Sequence, residues 1–394
     1  MKRRVAWTIV LLGLAAMLAG VLAGRPGGQV AAQPAAARRA KEAGGSAEWR
    51  IFRGDTGMLG VARGKLPARP ALRWKFKTNA EVGSSPVIAA GRVYVGSSDA
   101  NVYCLSLAGG KRLWNFATKD AVEAAPTVVG DAVYVGSNDS FLYALDAATG
   151  KLRWKLETED KILGAANTFR DASAGKQRIV VGSYDYNLYC VEPETGKTLW
   201  RYASDNYING GVAVAGGRSV FGGCDAVIHV VGPDGKKVKT ISAGAYVAAT
   251  PAFDGRYVYV GNYEGAMVCA DVETGKLAWT FQSDQPFVSS PAVGPDRIVA
   301  GCRDRRLYCL DRKTGKKLWA FAARGEVDSS PVICGGKVVF GSNDGRLYVV
   351  GLADGKKLWS YDLGDAVVSS PAVAGGWIVV GCNDGRLYAF AEKR

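Results

Sequence analysis

A decapeptide typified by GSNDGRLYVV at 341–350 recurs along the chain at a nearly constant interval, and that interval decides the fold. Copies start at Gly96, Gly136, Gly182, Gly222, Gly261, Gly301, Gly341 and Gly381. A tryptophan recurs beside them at Trp74, Trp114, Trp154, Trp200, Trp279, Trp319 and Trp359, with Lys239 in the slot between Trp200 and Trp279. Most tryptophan gaps are 40 residues. Within a unit, apolar and polar residues alternate with period two between Gly, Asp and Asn turns, the pattern of short antiparallel strands joined as hairpins. The first unit holds four such strands, SSPVI (84–88), RVYVG (92–96), NVYCL (101–105) and KRLWNF (111–116), here called A to D. A period near 40 with four strands per unit predicts an all-β, eight-bladed β-propeller.

The sequence also says how the ring closes. An eighth C strand, RLYAF at 386–390, has no D strand after it, and an orphan D strand, LRWKFKT at 72–78, precedes the first A strand. Pairing the two gives a three-plus-one closure and leaves no open blade.

The stretch GSNDSFLYALDAATGKLRW at 136–154 resembles the PQQ-like (pyrroloquinoline quinone) repeat of quinoprotein dehydrogenases and of the outer-membrane assembly factor BamB family. The resemblance covers about 71–394. It implies that each tryptophan docks its blade on the next one. It is specific for the repeat and not for a function, because one fold carries many activities. EWRIFRGDTGMLG at 48–60 resembles a W-x-x-F-R-G-x-x-x-x-G lead-in found before such propellers. It reads as a cap, with Trp49 and Phe52 packing on the ring, and a ligand role is the alternative.

Four segments follow: 1–32, 33–48, 49–70 and 71–394. Lys2, Arg3 and Arg4 precede an uncharged run from Val5 to Gly24, and Val30-Ala31-Ala32 offers a small-residue cleavage site. Residues 1–32 are therefore an export signal, or a retained anchor that would hold the protein at a membrane. No cysteine lies near the cleavage region, so a lipid anchor is not supported. Residues 33–48 read as a flexible linker, 49–70 as the lead-in and 71–394 as the propeller. An exported, periplasmic or envelope-associated protein is expected.

Net charge is +14, of which the first fifty residues carry +6 (eight Lys/Arg less two Glu), leaving +8 on the remainder. That bias is mild, and no basic stripe of the kind nucleic-acid binders carry is present. Of the eight cysteines, Cys104, Cys190, Cys269 and Cys309 share the ninth position of the decapeptide, and Cys302 and Cys382 share the second. Positions repeated in this way hold small buried residues, so free thiols are expected. No C-x-x-C motif occurs, and no metal site is expected.

Every decapeptide carries an acidic fourth residue: Asp99, Asp139, Asp185, Asp225, Glu264, Asp304, Asp344 and Asp384. Such residues cap tight turns, and one active site would break the symmetry, so these are structural. The sole histidine, His229, fills a slot that six other blades give to tyrosine. It reads as a replacement for that ring, and catalytic residues are not expected.

Symmetry does break on the face shared by B–C turns and D–A loops. Blades three to five bring Tyr184, Tyr186, Tyr207, Tyr246 and Tyr263 there, with Phe287 close by, and blade six adds Arg303, Arg305 and Arg324. Aromatics beside arginines compose a protein-contact hot spot or a stacking site for sugars or peptides. The alternative is that the rings pack loops together. Blade three also carries an insertion at 171–176 on the other face.

These readings converge on a monomeric, non-enzymatic binding scaffold of the cell envelope with a protein or peptide partner. A carbohydrate- or peptide-binding propeller and a PQQ-dependent dehydrogenase relative are the alternatives. The PQQ cofactor is implied only by the resemblance. The chain has no adjacent-cysteine pair, no long blade insertions and no acidic constellation outside the repeat.

Overall fold

The computed structural model describes residues 48–393, and the export signal, anchor and most of the linker lie outside them. Among the described residues there is no helix, and the strands form eight antiparallel sheets, one of which gains a short fifth strand. Blade one comprises Val87–Ala89, Arg92–Ser97, Asn101–Ser106 and Arg112–Ala117. Six more blades follow in chain order. Blade eight combines Ala372–Ala374, Trp377–Cys382 and Arg386–Ala391 with Ala71–Lys77. Leu72 pairs with Phe390, Trp74 with Ala389 and Lys77 with Arg386, so the orphan strand closes the ring.

The alternation of each strand becomes two buried faces, because each blade packs on a neighbour at both sides. Between blades one and two, Tyr94, Val102, Cys104 and Trp114 meet Val133, Val135, Tyr143 and Leu145. A bulge just before each tryptophan, as between Leu72 and Trp74 or Leu152 and Trp154, turns the ring toward the next blade. There the indole lies on the glycine of the neighbour's C–D turn. Trp74 Nε1–H donates to Leu107 O at 2.7 Å, and a Cβ at Gly110 would stand 2.6 Å from the same indole. Trp114, Trp154, Trp200, Trp279 and Trp319 repeat the bond to Ala147, Pro193, Pro233, Arg312 and Leu352.

Two blades vary the joint. Lys239 keeps the hydrogen bond, Nζ to Glu273 O at 2.6 Å, without the ring. Trp359 instead packs against Phe390 of blade eight at 5.5 Å between centroids.

The lead-in does more than cover the ring. Each A strand is the innermost of its blade and presents a free edge to the central channel, and residues 49–62 run along those edges. Trp49 exchanges two backbone bonds with Ile88 of blade one. Val128 N–H donates to Arg50 O, Val214 to Thr56, Phe253 to Gly57, Val293 to Leu59 and Ile333 to Gly60. In blade three the Asn167 side chain donates to Thr56 O at 2.7 Å. Val61–Ala62 then pairs in parallel with Ile333 and Cys334 of blade seven. Arg53 is fully buried and donates to Pro331 O at 2.6 Å, and burial lowers the pKa of its guanidinium to about 9. The segment is a plug that satisfies inner-edge donors which would otherwise each cost about 1–3 kcal/mol if left buried and unpaired.

Deleting residues 1–78 would strip Arg386–Ala391 of its partner, so thermal melting by circular dichroism should lose its single sharp transition. Deleting residues 1–47 should leave the melt as sharp as that of the full chain. A sharp melt for the 79–394 fragment would refute the closure.

Candidate functional site

The B–C turns build one face of the ring, and most of their polar groups serve the fold. Asp99 Oδ1 accepts the Asn101 N–H at 3.1 Å, and its Oδ2 accepts the Tyr103 hydroxyl at 2.8 Å. Asp139, Asp185, Asp344 and Asp384 bind Tyr143, Tyr189, Tyr348 and Tyr388 in the same way at 2.6–2.7 Å. Asp304 does so with Tyr308. In blade four His229 stands in for the tyrosine, its Nε2 2.7 Å from Asp225 Oδ2 and its Nδ1 3.0 Å from the Tyr202 hydroxyl. Glu264 has no such partner, and Asn262 caps that turn instead. Each carboxylate of the other seven turns is thus engaged within its own turn.

The tyrosines of blades three to five are arranged differently. Tyr184 and Tyr207 stack at 4.8 Å between centroids, and Tyr186 meets Tyr207 edge-on at 5.1 Å. Lys161 Nζ lies 4.7 Å from the centre of the Tyr184 ring. Tyr184 is half-buried, and burial pushes its hydroxyl up to about 12. Tyr186, Tyr207, Tyr246 and Tyr263 are 41%, 38%, 58% and 43% exposed, and they are the aromatic side chains among the exposed large hydrophobics of the described residues. Phe287 is the exception: it is fully buried against Phe281 and Tyr308 and belongs to the core. It took a position that points inward in all eight blades.

Arg303 is not a free charge either. Its Nε lies 3.1 Å from Asp328 Oδ1 and 3.8 Å from Glu326 Oε2. Arg305 and Arg324 are exposed. Tyr186 and Arg305 share a further feature. Both are bulky residues at the fifth position of the decapeptide, with φ of 72° and 68°, where the other blades place the small residues Ala100, Ser140 and Ala226, also at positive φ, and Gly265, Gly345 and Gly385. A bulky side chain there is strained by roughly 1 kcal/mol or more, and the tertiary structure holds it outward nonetheless.

Inside this face the D–A loops form a collar around the channel. The Gly211 N–H donates to Thr250 Oγ1 at 2.7 Å; Thr250, Ser290, Ser330 and Ser370 donate in turn to Ser290, Ser330, Ser370 and Ser85, each at 3.0 Å. The belt stops at blades two to four, where Ala125, Ala165 and Gly211 hold the hydroxyl's position. A cavity of about 180 Å³ opens here, floored by Phe52 of the plug and walled by Glu123, Leu163, Asn209 and Val288. The Ser-Ser pair of blades one, six, seven and eight, absent from blades two to four, is the sequence signal that marks this region. The cavity does not fit a tricyclic quinone with a balancing cation. It is smaller than the roughly 300–1,000 Å³ of drug-sized sites, and among the described residues no three His, Cys, Asp or Glu side chains gather as metal ligands.

All eight cysteines are unpaired. Burial pushes the thiols of Cys104 and Cys309 up to about 11, and those of Cys190, Cys269, Cys302 and Cys382 up to about 12. Cys334 is raised by burial as well, and Cys224 alone is half-exposed. Native protein at pH 8 should therefore react rapidly with a thiol reagent at about one site, lost in Cys224→Ser. Denaturation without reductant should release all eight. Fewer than seven would mean that disulfides form.

The model of the family described as outer membrane protein assembly factor BamB matches residues 66–222, 224–364 and 288–394. Among curated proteins, none matches the chain in sequence. Among solved structures, BamB from Moraxella catarrhalis superposes with a TM-score of 0.68 at 18% identity, covering 82% of this chain and 100% of that one. The quinohemoprotein alcohol dehydrogenase from Comamonas testosteroni reaches 0.76 at 16% identity over 90% and 82% of the two chains. The computationally designed protein Ika8 reaches 0.71 at 17% identity over 80% and 98%. At these identities the likeness shows a shared fold.

Proposed function

This chain belongs to the family of the outer membrane protein assembly factor BamB, and from that premise we propose that it is a non-enzymatic binding scaffold of the cell envelope. It takes a protein or peptide partner on the face that carries Tyr184, Tyr186, Tyr207, Tyr246 and Tyr263. One observation carries this reading. Four rings of the crescent are at least 38% exposed, and one of them, Tyr186, is a bulky side chain at a positive-φ turn position that six other blades give to glycine, alanine or serine. Strain that persists at an exposed aromatic points to selection for contact. Large rigid rings provide contact area at small entropic cost and dominate interface energetics.

Export to the periplasm or envelope is part of the reading and rests on residues 1–32 together with the family. So is the lack of an enzymatic role. The channel mouth offers no catalytic constellation, and the protein binds no quinone in this reading. Addition of PQQ with Ca²⁺ should leave its absorbance spectrum the sum of the components.

The tyrosines and the arginine give separable outcomes. Tyr186→Gly with Tyr263→Ala should leave the melting temperature within about 2 °C, since surface changes are usually within about 0.5 kcal/mol and the glycine removes strain. Capture of the envelope partner in pull-downs should weaken at least about tenfold, as expected for central interface rings worth roughly 2 kcal/mol each. Arg305→Ala should chiefly slow association and flatten its salt dependence. A double variant that melts early yet binds normally in its folded fraction would show that the rings pack loops.

A further inference from the structure

The mild net charge of the ring conceals a segregation by face. Counted between strand ends, the B–C turns and D–A loops hold eighteen carboxylates against five Lys or Arg, a net −13. Residues 51–394 together carry +8, so the positive surplus lies on the rest of the ring. Much of it gathers at the C–D turns, which share a face with the A–B turns and bond to them, as Leu107 N–H does to Gly91 O at 2.9 Å. In all seven complete blades the glycine of the C–D turn is followed by an exposed lysine, from Lys111 in blade one to Lys356 in blade seven. One or two residues later each of these blades exposes an apolar side chain, from Leu113 at 45% to Leu358 at 41%. These seven and the four tyrosines of the crescent are all the exposed large hydrophobics among the described residues. Blade eight has no C–D turn. There the stretch between plug and outer strand passes the A–B turn of blade seven, where Cys334 Sγ lies 3.7 Å from Gly64 O, and it exposes Arg63, Lys65 and Arg69.

The fold does not ask for these side chains. The joint needs the turn glycine, on which the indole lies, and not the lysine after it. Lys111, Lys151, Lys197, Lys276 and Lys316 make no side-chain hydrogen bond or ion pair among the described residues. Lys236 and Lys356 reach only carboxylates of their own turns, Asp234 at 3.4 Å and Asp354 at 3.2 Å, and a second lysine follows each. Asp146 and Asp271 on the same side are already held by Arg153 and Arg256. A protein partner engages one sector of a ring, whereas a basic and apolar pair repeated at every complete blade suits a target that is flat and alike in all directions. Lysine beside leucine fits the boundary of a bilayer, with the ammonium at phosphate depth and the aliphatic chain among the acyl ends. A nucleic-acid backbone would use the lysines and leave the leucines in water. The described chain also begins on this side, where Ala90 N–H donates to Glu48 Oε1 at 2.9 Å. Residues 1–47, with their uncharged run from Val5 to Gly24, are therefore attached to the ring here.

We propose that the ring docks with its C–D turns on an anionic phospholipid bilayer, the lysines among the headgroup phosphates and the leucines at the acyl boundary. The acidic face with the tyrosines then turns to the aqueous side, and the opposite signs of the two faces fix which one approaches the lipid. This goes beyond the binding-scaffold reading and does not depend on it.

The test acetylates the full chain with an N-hydroxysuccinimide ester and reads the rate at each lysine by mass spectrometry, so that any hold by residues 1–47 is common to every sample. Vesicles of two parts phosphatidylcholine to one of phosphatidylglycerol should slow Lys111, Lys151, Lys197, Lys276 and Lys316 at least about threefold. Lys119 and Lys161, on the tyrosine face, should keep their rates. Phosphatidylcholine alone should protect none of them, and rising salt should remove the protection. Lys197→Glu with Lys276→Glu and Lys316→Glu should return Lys111 and Lys151 to their vesicle-free rates, since each basic residue at an anionic surface is worth about fivefold in binding. That variant should melt and capture the envelope partner as the parent does. Leu277→Ser with Leu318→Ser should lower the protection at least about twofold. Equal protection by phosphatidylcholine alone, equal protection of Lys119 and Lys161, or unchanged protection in the glutamate variant would overturn the proposal. Protection by a duplex oligonucleotide but not by vesicles would make the face a nucleic-acid site and overturn it too. Partner capture by the Tyr186 and Tyr263 variant reports on the opposite face, so failure of either reading is seen apart from the other.

Discussion

The ring depends on one contact made over and over: an indole laid flat on a neighbour's glycine with its N–H turned to a carbonyl of the same turn. The joint keeps its carbonyl bond in six blades, and at Trp74, Trp114 and Trp279, which are buried, removing the ring would cost roughly 3–5 kcal/mol. The contact also explains why glycine recurs in the C–D turns. At Gly110 or Gly150 a Cβ would enter the indole of Trp74 or Trp114 at 2.6 Å. Tryptophan and glycine in successive blades are therefore two halves of one joint.

Where that joint is weakest, other parts of the chain contribute. Between blades four and five Lys239 preserves the hydrogen bond but buries no ring. The apolar core of those two blades takes in Ile51 and Met58 from the plug, packed with Val220, Ile228, Val258 and Val268. The plug thus reinforces the same sector that carries the exposed tyrosines and borders the interrupted collar. Rigidity there matters, because a binding face presents its rings at small entropic cost only if the turns beneath them are fixed.

Much of this architecture was legible in the sequence, for a physical reason. Blade count, strand order and closure by residues 72–78 are properties of a repeat, and a repeat averages out the noise of single positions. The same averaging identifies the turn aspartates and His229 as structural. What the repeat could not supply was depth at positions where blades differ. Phe287 looks like a member of the aromatic face when read by type, yet its register position points into the core in every blade. Arg303 reads as a free charge until Asp328, twenty-five residues on, is seen beside it. The plug was harder still. Its bonds run from a short segment to seven blades spread over nearly three hundred residues, and nothing periodic marks them.

The path of that plug bears on how such a ring can be assembled at all. Its residues meet the blades in chain order, Trp49 at blade one and Gly60 at blade seven. A chain that emerges N-terminus first presents the plug before any blade exists, so it can serve as a mandrel around which blades are wound one after another. Each new inner strand then finds its backbone partner already waiting at the axis. The last blade differs, because its missing strand lies immediately after the plug and has been held at the starting point since the beginning. Winding therefore ends where it began, and the order of the sequence becomes a timetable for closing the circle.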